Sequence, residues 1–171
     1  MQHIAYFCNM SLSPHIVAFT GHRHYDHSSD ESLWGVVTRL YDEGCRIFRT
    51  GMAEGFDLAA GEAVLRLKAA HEDVMLEAII PYPDFKNHFG MVDRSRYDHI
   101  AERADKLCYT ASNYHVGVYR QRNDLLVEGA GCVVAWYDGS PSGTRYTINR
   151  ARRQHSHIIN LYPRRQLELW K

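Results

Sequence analysis

The amino-acid sequence predicts an α/β protein, a three-layer sandwich built on a mostly parallel sheet of about six strands. Short apolar, β-rich runs alternate with longer segments of helical period, the pattern of repeated βα units. Several of these runs are apolar on successive residues, as in Cys132-Val-Val-Ala-Trp-Tyr137. Strands of that kind are buried on both faces, as in a parallel sheet covered by helices.

In chain order the predicted strands are Ile16–Thr20, Arg46–Thr50, Val74–Pro81, Lys106–Thr110, Gly131–Tyr137 and His157–Tyr162. Between the first two, residues 30–44 carry Leu33, Trp34, Val37, Leu40 and Tyr41 at helical spacing, with Asp30 as N-cap and Gly44 as the C-terminal stop. Residues 54–71 repeat the pattern with Leu58, Ala59, Ala63, Val64 and Leu67, and the small Ala59, Ala60 and Gly61 are expected to let that helix lie close to the sheet. Further helices are expected near 93–104, 116–128 and 144–155. Residues 82–91 show no clear period and read as a loop over one edge of the sheet, where Tyr82, Phe85 and Phe89 fill space. The crossover and switch-point rules give a strand order of 3-2-1, with the later strands beyond the first.

With 171 residues and 45% hydrophobic side chains, the chain is the size of one globular domain, read as 1–171 with a core over about 16–162. Twenty Lys+Arg balance twenty Asp+Glu, which removes the basic footprint expected of a duplex nucleic-acid binder. Cys8, Cys45, Cys108 and Cys132 are far apart, without the spacing of a zinc ribbon or a disulfide framework, and read as reduced, mostly buried thiols. No apolar run reaches membrane-spanning length and the N-terminal segment lacks the features of a secretion signal, so the expected compartment is the cytoplasm.

In such sheets ligands bind at the carboxyl ends of the strands, beside the point where strand order reverses. Three glycine-bearing turns follow strands there: Thr20-Gly21-His22-Arg23, Thr50-Gly51-Met52-Ala53-Glu54-Gly55-Phe56-Asp57, and Asp138-Gly139-Ser140-Pro141-Ser142-Gly143-Thr144. Glycine lets the backbone approach a ligand, and helix N-terminal amides present unpaired donors, so a phosphate-bearing guest fits. The last turn, with Ser140, Ser142, Gly143 and Thr144, is the expected phosphate cradle, and Arg23 and Arg122 are candidate counter-ions. Glu54 and Asp57, read as first-turn residues of their helix, suit sugar hydroxyls better than phosphate.

These stretches resemble the YpsA-like branch of the SLOG superfamily, Rossmann-like proteins related to the LOG (lysine decarboxylase-like) phosphoribohydrolases and to DprA-type DNA-binding proteins. The resemblance lies in Ile16-Val-Ala-Phe-Thr-Gly-His-Arg23, Thr50-Gly-Met-Ala-Glu-Gly-Phe-Asp-Leu-Ala-Ala-Gly-Glu62, Gln121-Arg-Asn-Asp124, and Val133-Val-Ala-Trp-Tyr-Asp-Gly139 leading to Gly143-Thr144-Arg-Tyr-Thr147. It implies a Rossmann-like sheet with a pocket for a nucleotide or nucleotide-derived ligand. It carries over to Gly21, His22 and Arg23, to Gly51, Gly55 and Asp57, to Arg122 and Asn123, and to Asp138, Gly139, Gly143 and Thr144. LOG enzymes carry a Glu three residues after the Thr of their Gly-Thr signature, and this chain has Thr147 there.

The candidate ligand-binding set is therefore Thr20, Gly21, His22, Arg23, Gly51, Met52, Gly55, Asp57, Arg122, Asn123, Asp138, Gly139, Ser140, Ser142, Gly143 and Thr144. The expected role is that of a sensor or binding module for an AMP-, ADP-ribose- or NAD-like ligand. Two alternatives are an N-glycosidic hydrolase with Asp57 or Glu54 as the catalytic carboxylate, and a DprA-like binder of single-stranded DNA. No resident cofactor is expected, and a homo-oligomer is compatible with this class. The run His22-Arg-His24-Tyr-Asp26-His27 holds potential metal ligands, but Arg23 within it opposes a cation, so no metal is expected.

Overall fold

The computed structural model describes residues 12–163; Cys8 lies outside them. Six strands form one all-parallel sheet: β1 (Ser13–Gly21), β2 (Ile47–Thr50), β3 (Met75–Ile80), β4 (Lys106–Tyr109), β5 (Ala130–Trp136) and β6 (His157–Asn160). Five α-helices connect them: α1 (Asp30–Asp42), α2 (Phe56–Ala70), α3 (Met91–Arg103), α4 (Val118–Val127) and α5 (Gly143–Arg153). This is a Rossmann-like α/β sandwich. Among the described residues no helix is long and apolar enough to cross a membrane.

Strand order is β4-β3-β2-β1-β5-β6. The expected 3-2-1 half is present and β5 and β6 lie beyond β1. β4 departs from the expectation: it stays outside β3, pairing Glu77–Ile80 with Lys106–Tyr109. The chain thus winds outward through four strands before crossing back, and the reversal falls between β1 and β5.

The parity of the strands sorts side chains onto two faces. Val17, Phe19, Phe48, Leu76, Ile80 and Val134 face the larger apolar cluster, built with Leu33, Val37 and Leu40 of α1 and Leu58, Val64 and Leu67 of α2. Ala18, Ile79 and Val133 point the other way and pack on Leu126 and Val127 of α4 and Ala151 of α5. Alternation with both sides buried accounts for the unbroken apolar runs in the sequence.

Several local expectations are refined. The N-cap of α1 is Ser29, not Asp30. Asp30 instead accepts a hydrogen bond from the Tyr25 hydroxyl at 2.7 Å and lies 3.0 Å from His27 Nδ1. Gly44 follows the helix at φ +101°, a conformation that favours glycine there. Gly61 serves helix packing, not a close approach to the sheet, because a Cβ on it would meet the Ile100 side chain of α3 at 3.0 Å. Residues 82–91 include a 3-10 helix over Pro83–His88. Tyr82, Phe85 and Phe89 are buried there, with the Phe85 and Phe89 rings edge to face at 5.2 Å.

Candidate functional site

β1 and β5 are neighbours whose following segments lead to helices on opposite faces of the sheet, and that divergence opens a crevice at their carboxyl ends. A cleft of about 580 Å³ occupies the position. All three glycine-bearing turns reach it. The first contributes Thr20, Gly21, His22 and Arg23, the second Ala53 and Asp57, and the third Asp138, Ser140, Ser142, Gly143 and Thr144. Arg122 and Asn123 enter from α4.

The third turn leads into the start of α5. Ser142 caps α5, its hydroxyl accepting the Arg145 amide at 3.2 Å. The Gly143 and Thr144 amides precede the first intrahelical bonds, so they stay open on a surface that lines the cleft. Exposed Arg23 lies on the same cleft and takes part in no ion pair among the described residues. One acid belongs to the same turn. Asp138 Oδ1 accepts the Ser140 amide at 2.8 Å and lies 2.8 Å from His22 Nε2. The Ser140 hydrogen bonds, helped by His22, hold the Asp138 carboxyl down to about 2.

The floor is formed by a buried acid and a buried base. A Cβ on Gly51 would lie 2.6 Å from Asp57 Oδ2 and 2.8 Å from Arg122 Nη1, so only glycine lets the two approach the turn. Arg122 donates from Nη1 to the Gly51 carbonyl and from Nε to Asn123 Oδ1 at 2.8 Å. Thr50 Oγ1 donates to the Asp57 carbonyl at 2.7 Å, fixing the start of α2. Burial pushes the Asp57 carboxyl up to about 6, against the opposing pull of Arg122 and the Ala53 and Gly21 amides. Burial also lowers the Arg122 guanidinium from its ordinary value, with Asp57 opposing.

Five sequence candidates lie off the cleft surface. Gly51, Met52 and Gly55 are buried beneath it. Met52 is fully buried at φ +58°, its backbone bent so that the side chain joins the core. Gly55, at φ +82°, sits under the first turn, where a Cβ would lie 2.2 Å from the Arg23 carbonyl oxygen. Gly139 supplies a φ of +97° at the corner of the third turn. Glu54 precedes α2 and does not line the cleft, whereas Asp57 is in the first helical turn as expected.

Ala53, Tyr119, Trp136 and Tyr162 line the cleft without having been singled out, and His24, read in the sequence only as a potential metal ligand, lines it too. Trp136 and Tyr162 end strand runs that read as core, and their rings lie 4.7 Å apart. Tyr119 is one turn before Asn123 on α4 and is three residues from Arg122, a helical spacing that could have flagged it. The histidine-rich run does not gather: His22 turns to Asp138 and His27 to Asp30. Among the described residues no three His, Cys, Asp or Glu side chains converge.

An open, all-parallel α/β sheet with a cleft at its switch point defines the class as a Rossmann-like fold. Within that class, the model of the YspA SLOG family (YpsA) matches residues 29–168, and the chain belongs to that family. A UPF0398 protein of Halalkalibacterium halodurans is 26% identical over 138 residues, covering 77% of this chain and 73% of its own. Two solved structures of DNA processing protein A (DprA) share the fold. The Streptococcus pneumoniae protein superposes with a TM-score of 0.64 at 19% identity, over 89% of this chain; the match spans about half, 51%, of that longer chain. The Helicobacter pylori protein, described for its single-stranded DNA binding mode, gives 0.67 at 19% identity, covering 90% of this chain and 68% of its own.

Proposed function

We propose that the protein binds a nucleotide or nucleotide-derived ligand, of the AMP, ADP-ribose or NAD kind, at the carboxyl ends of its parallel strands, and acts as a sensor or binding module. The observation that carries this reading is the open pair of α5 amides, Gly143 and Thr144, sharing one cleft with the Arg23 guanidinium and the buried Asp57 and Arg122. Helix amides and a guanidinium suit a phosphate, and the polar floor suits a sugar. The free thiols of Cys45, Cys108 and Cys132 fit a reducing compartment, the cytoplasm.

Binding without turnover is favoured over N-glycosidic hydrolysis by the carboxylates on hand. Of the two carboxylates lining the cleft, Asp138 is tied to His22 and Ser140, which leaves Asp57 without the second free carboxylate that a glycosidic hydrolase uses. Thermal unfolding in the presence of AMP, ADP-ribose, NAD and cyclic dinucleotides tests the reading. Ligand that binds only the folded chain raises Tm. No rise with any of them at millimolar concentration contradicts it, and a rise with oligodeoxythymidylate alone would favour single-stranded DNA. Release of free base from AMP, followed by chromatography, would establish hydrolysis instead.

A further inference from the structure

We infer that Asp57 and Arg122 together read the vicinal diol of a ribose, so that the cleft accepts ribonucleotides and turns away their deoxy analogues. This rests on the nucleotide reading above and adds the sugar class. Asp57 Oδ1 is buried and, although the Gly21 amide pulls on the carboxyl, it has no partner at hydrogen-bond distance, the one such side-chain atom among the described residues. Its companion Oδ2 is already occupied, accepting the Ala53 amide at 3.4 Å beside Gly51. A buried carboxylate oxygen left unpaired is strongly disfavoured and calls for a donor from a guest.

Arg122 offers the complement. Its Nε and Nη1 are used on Asn123 and Gly51, and Nη2 has no protein partner among the described residues. Both side chains border the cleft. An acceptor beside a donor matches two adjacent hydroxyls, one donating to the carboxylate and the other accepting from the guanidinium.

Position favours a sugar over a base at this point. Asn123 accepts Arg122 Nε, and its own Nδ2 lies 3.8 Å from where a Gly143 Cβ would stand. A single side chain thus bridges the floor to the start of α5. A phosphate on the open α5 amides would bring its own sugar, the next group along the ligand, onto the Asp57–Arg122 pair. The aromatic faces of Trp136 and Tyr162 remain for a base.

Calorimetric titration of the full chain with AMP, 2′-deoxy-AMP and 3′-deoxy-AMP tests the inference. The expected result is that AMP binds and that at least one deoxy analogue binds about ten-fold more weakly or worse, since a missing hydroxyl leaves a buried charged group unpaired. Asp57→Asn, checked for folding by circular dichroism, should weaken AMP and compress the AMP-to-deoxy ratio, while Glu54→Gln should leave both unchanged. The wild-type comparison decides the matter even where the Asp57 variant does not fold. Equal affinity of wild type for all three nucleotides overturns the inference and leaves nucleotide binding standing. Absence of binding by all three overturns the inference, and absence of binding by ADP-ribose and NAD as well removes the nucleotide reading with it.

Discussion

His22 Nε2, from the end of β1, stands 2.8 Å from Asp138 Oδ1, from the end of β5, and so clasps together the two strands between which the sheet reverses. The contact orients the ring: Nε2 lies 2.8 Å from the Asp138 carboxylate and 3.2 Å from the Asp138 backbone amide, so one ring nitrogen meets both groups of the same residue. His22→Ala is expected to open the turn and weaken AMP-type ligands by roughly ten-fold while lowering stability by about 1 kcal/mol or less, as for a partly exposed pair. Calorimetry and urea unfolding check the two halves separately.

Asp138 also leaves a signature in acid. Its carboxyl is depressed on folding from 3.8 to about 2, chiefly by the Ser140 hydrogen bonds. A depressed acid contributes stability that is present above the unfolded value and is lost as pH falls through the folded one. Wild type should therefore lose stability relative to Asp138→Asn between about pH 4 and pH 2, as read from unfolding midpoints across that range.

Asp57 behaves in the opposite sense. Burial raises its carboxyl from 3.8 to about 6. The folded chain then holds that proton more tightly than the unfolded one, so the associated stability is present below about pH 4 and declines as pH rises through about 6. Relative to Asp57→Asn, wild type should lose on the order of 2 kcal/mol between pH 4 and pH 7. Urea titrations of both proteins at several pH values measure the difference.

The glycines of the turns separate by cause. In Gly55→Ala a left-handed φ of +82° combines with a 2.2 Å approach to the Arg23 carbonyl oxygen, a backbone atom that cannot swing away. A loss of roughly 3 kcal/mol or more is expected. At Gly139 the φ is +97° but nothing lies within 4 Å of the added methyl, so Gly139→Ala should cost only about 1 kcal/mol. Comparable losses at both positions would contradict this account of the turns.

Much of the fold was legible because its signals are local. Apolar runs and helical spacing located every strand and α-helix to within about two or three residues, and the turn after β5 was read correctly as the start of a helix. β4 was misplaced because a four-residue, half-exposed edge strand carries little pattern to distinguish one sheet edge from the other. The cleft lining was legible where a glycine-bearing turn ends at the cleft, as at Gly21 and Gly143, although the Gly21 position is also required by packing, since a Cβ there would lie 2.5 Å from Phe56. It was less so at Gly51, Met52 and Gly55, whose glycine-rich pattern serves close packing beneath the cleft. Trp136 and Tyr162 escaped notice because a strand-end aromatic looks the same in sequence whether it faces core or crevice.

The central claim, that an anionic sugar-bearing guest sits where the ends of β1 and β5 diverge, is tested most directly by following backbone amide shifts of the 15N-labelled chain as AMP or ADP-ribose is added. Saturable shifts concentrated at Gly21, Arg23, Ser140, Gly143 and Thr144 are predicted. Unmoved amides at those five positions in millimolar ligand, or shifts confined to another face of the sheet, would contradict it.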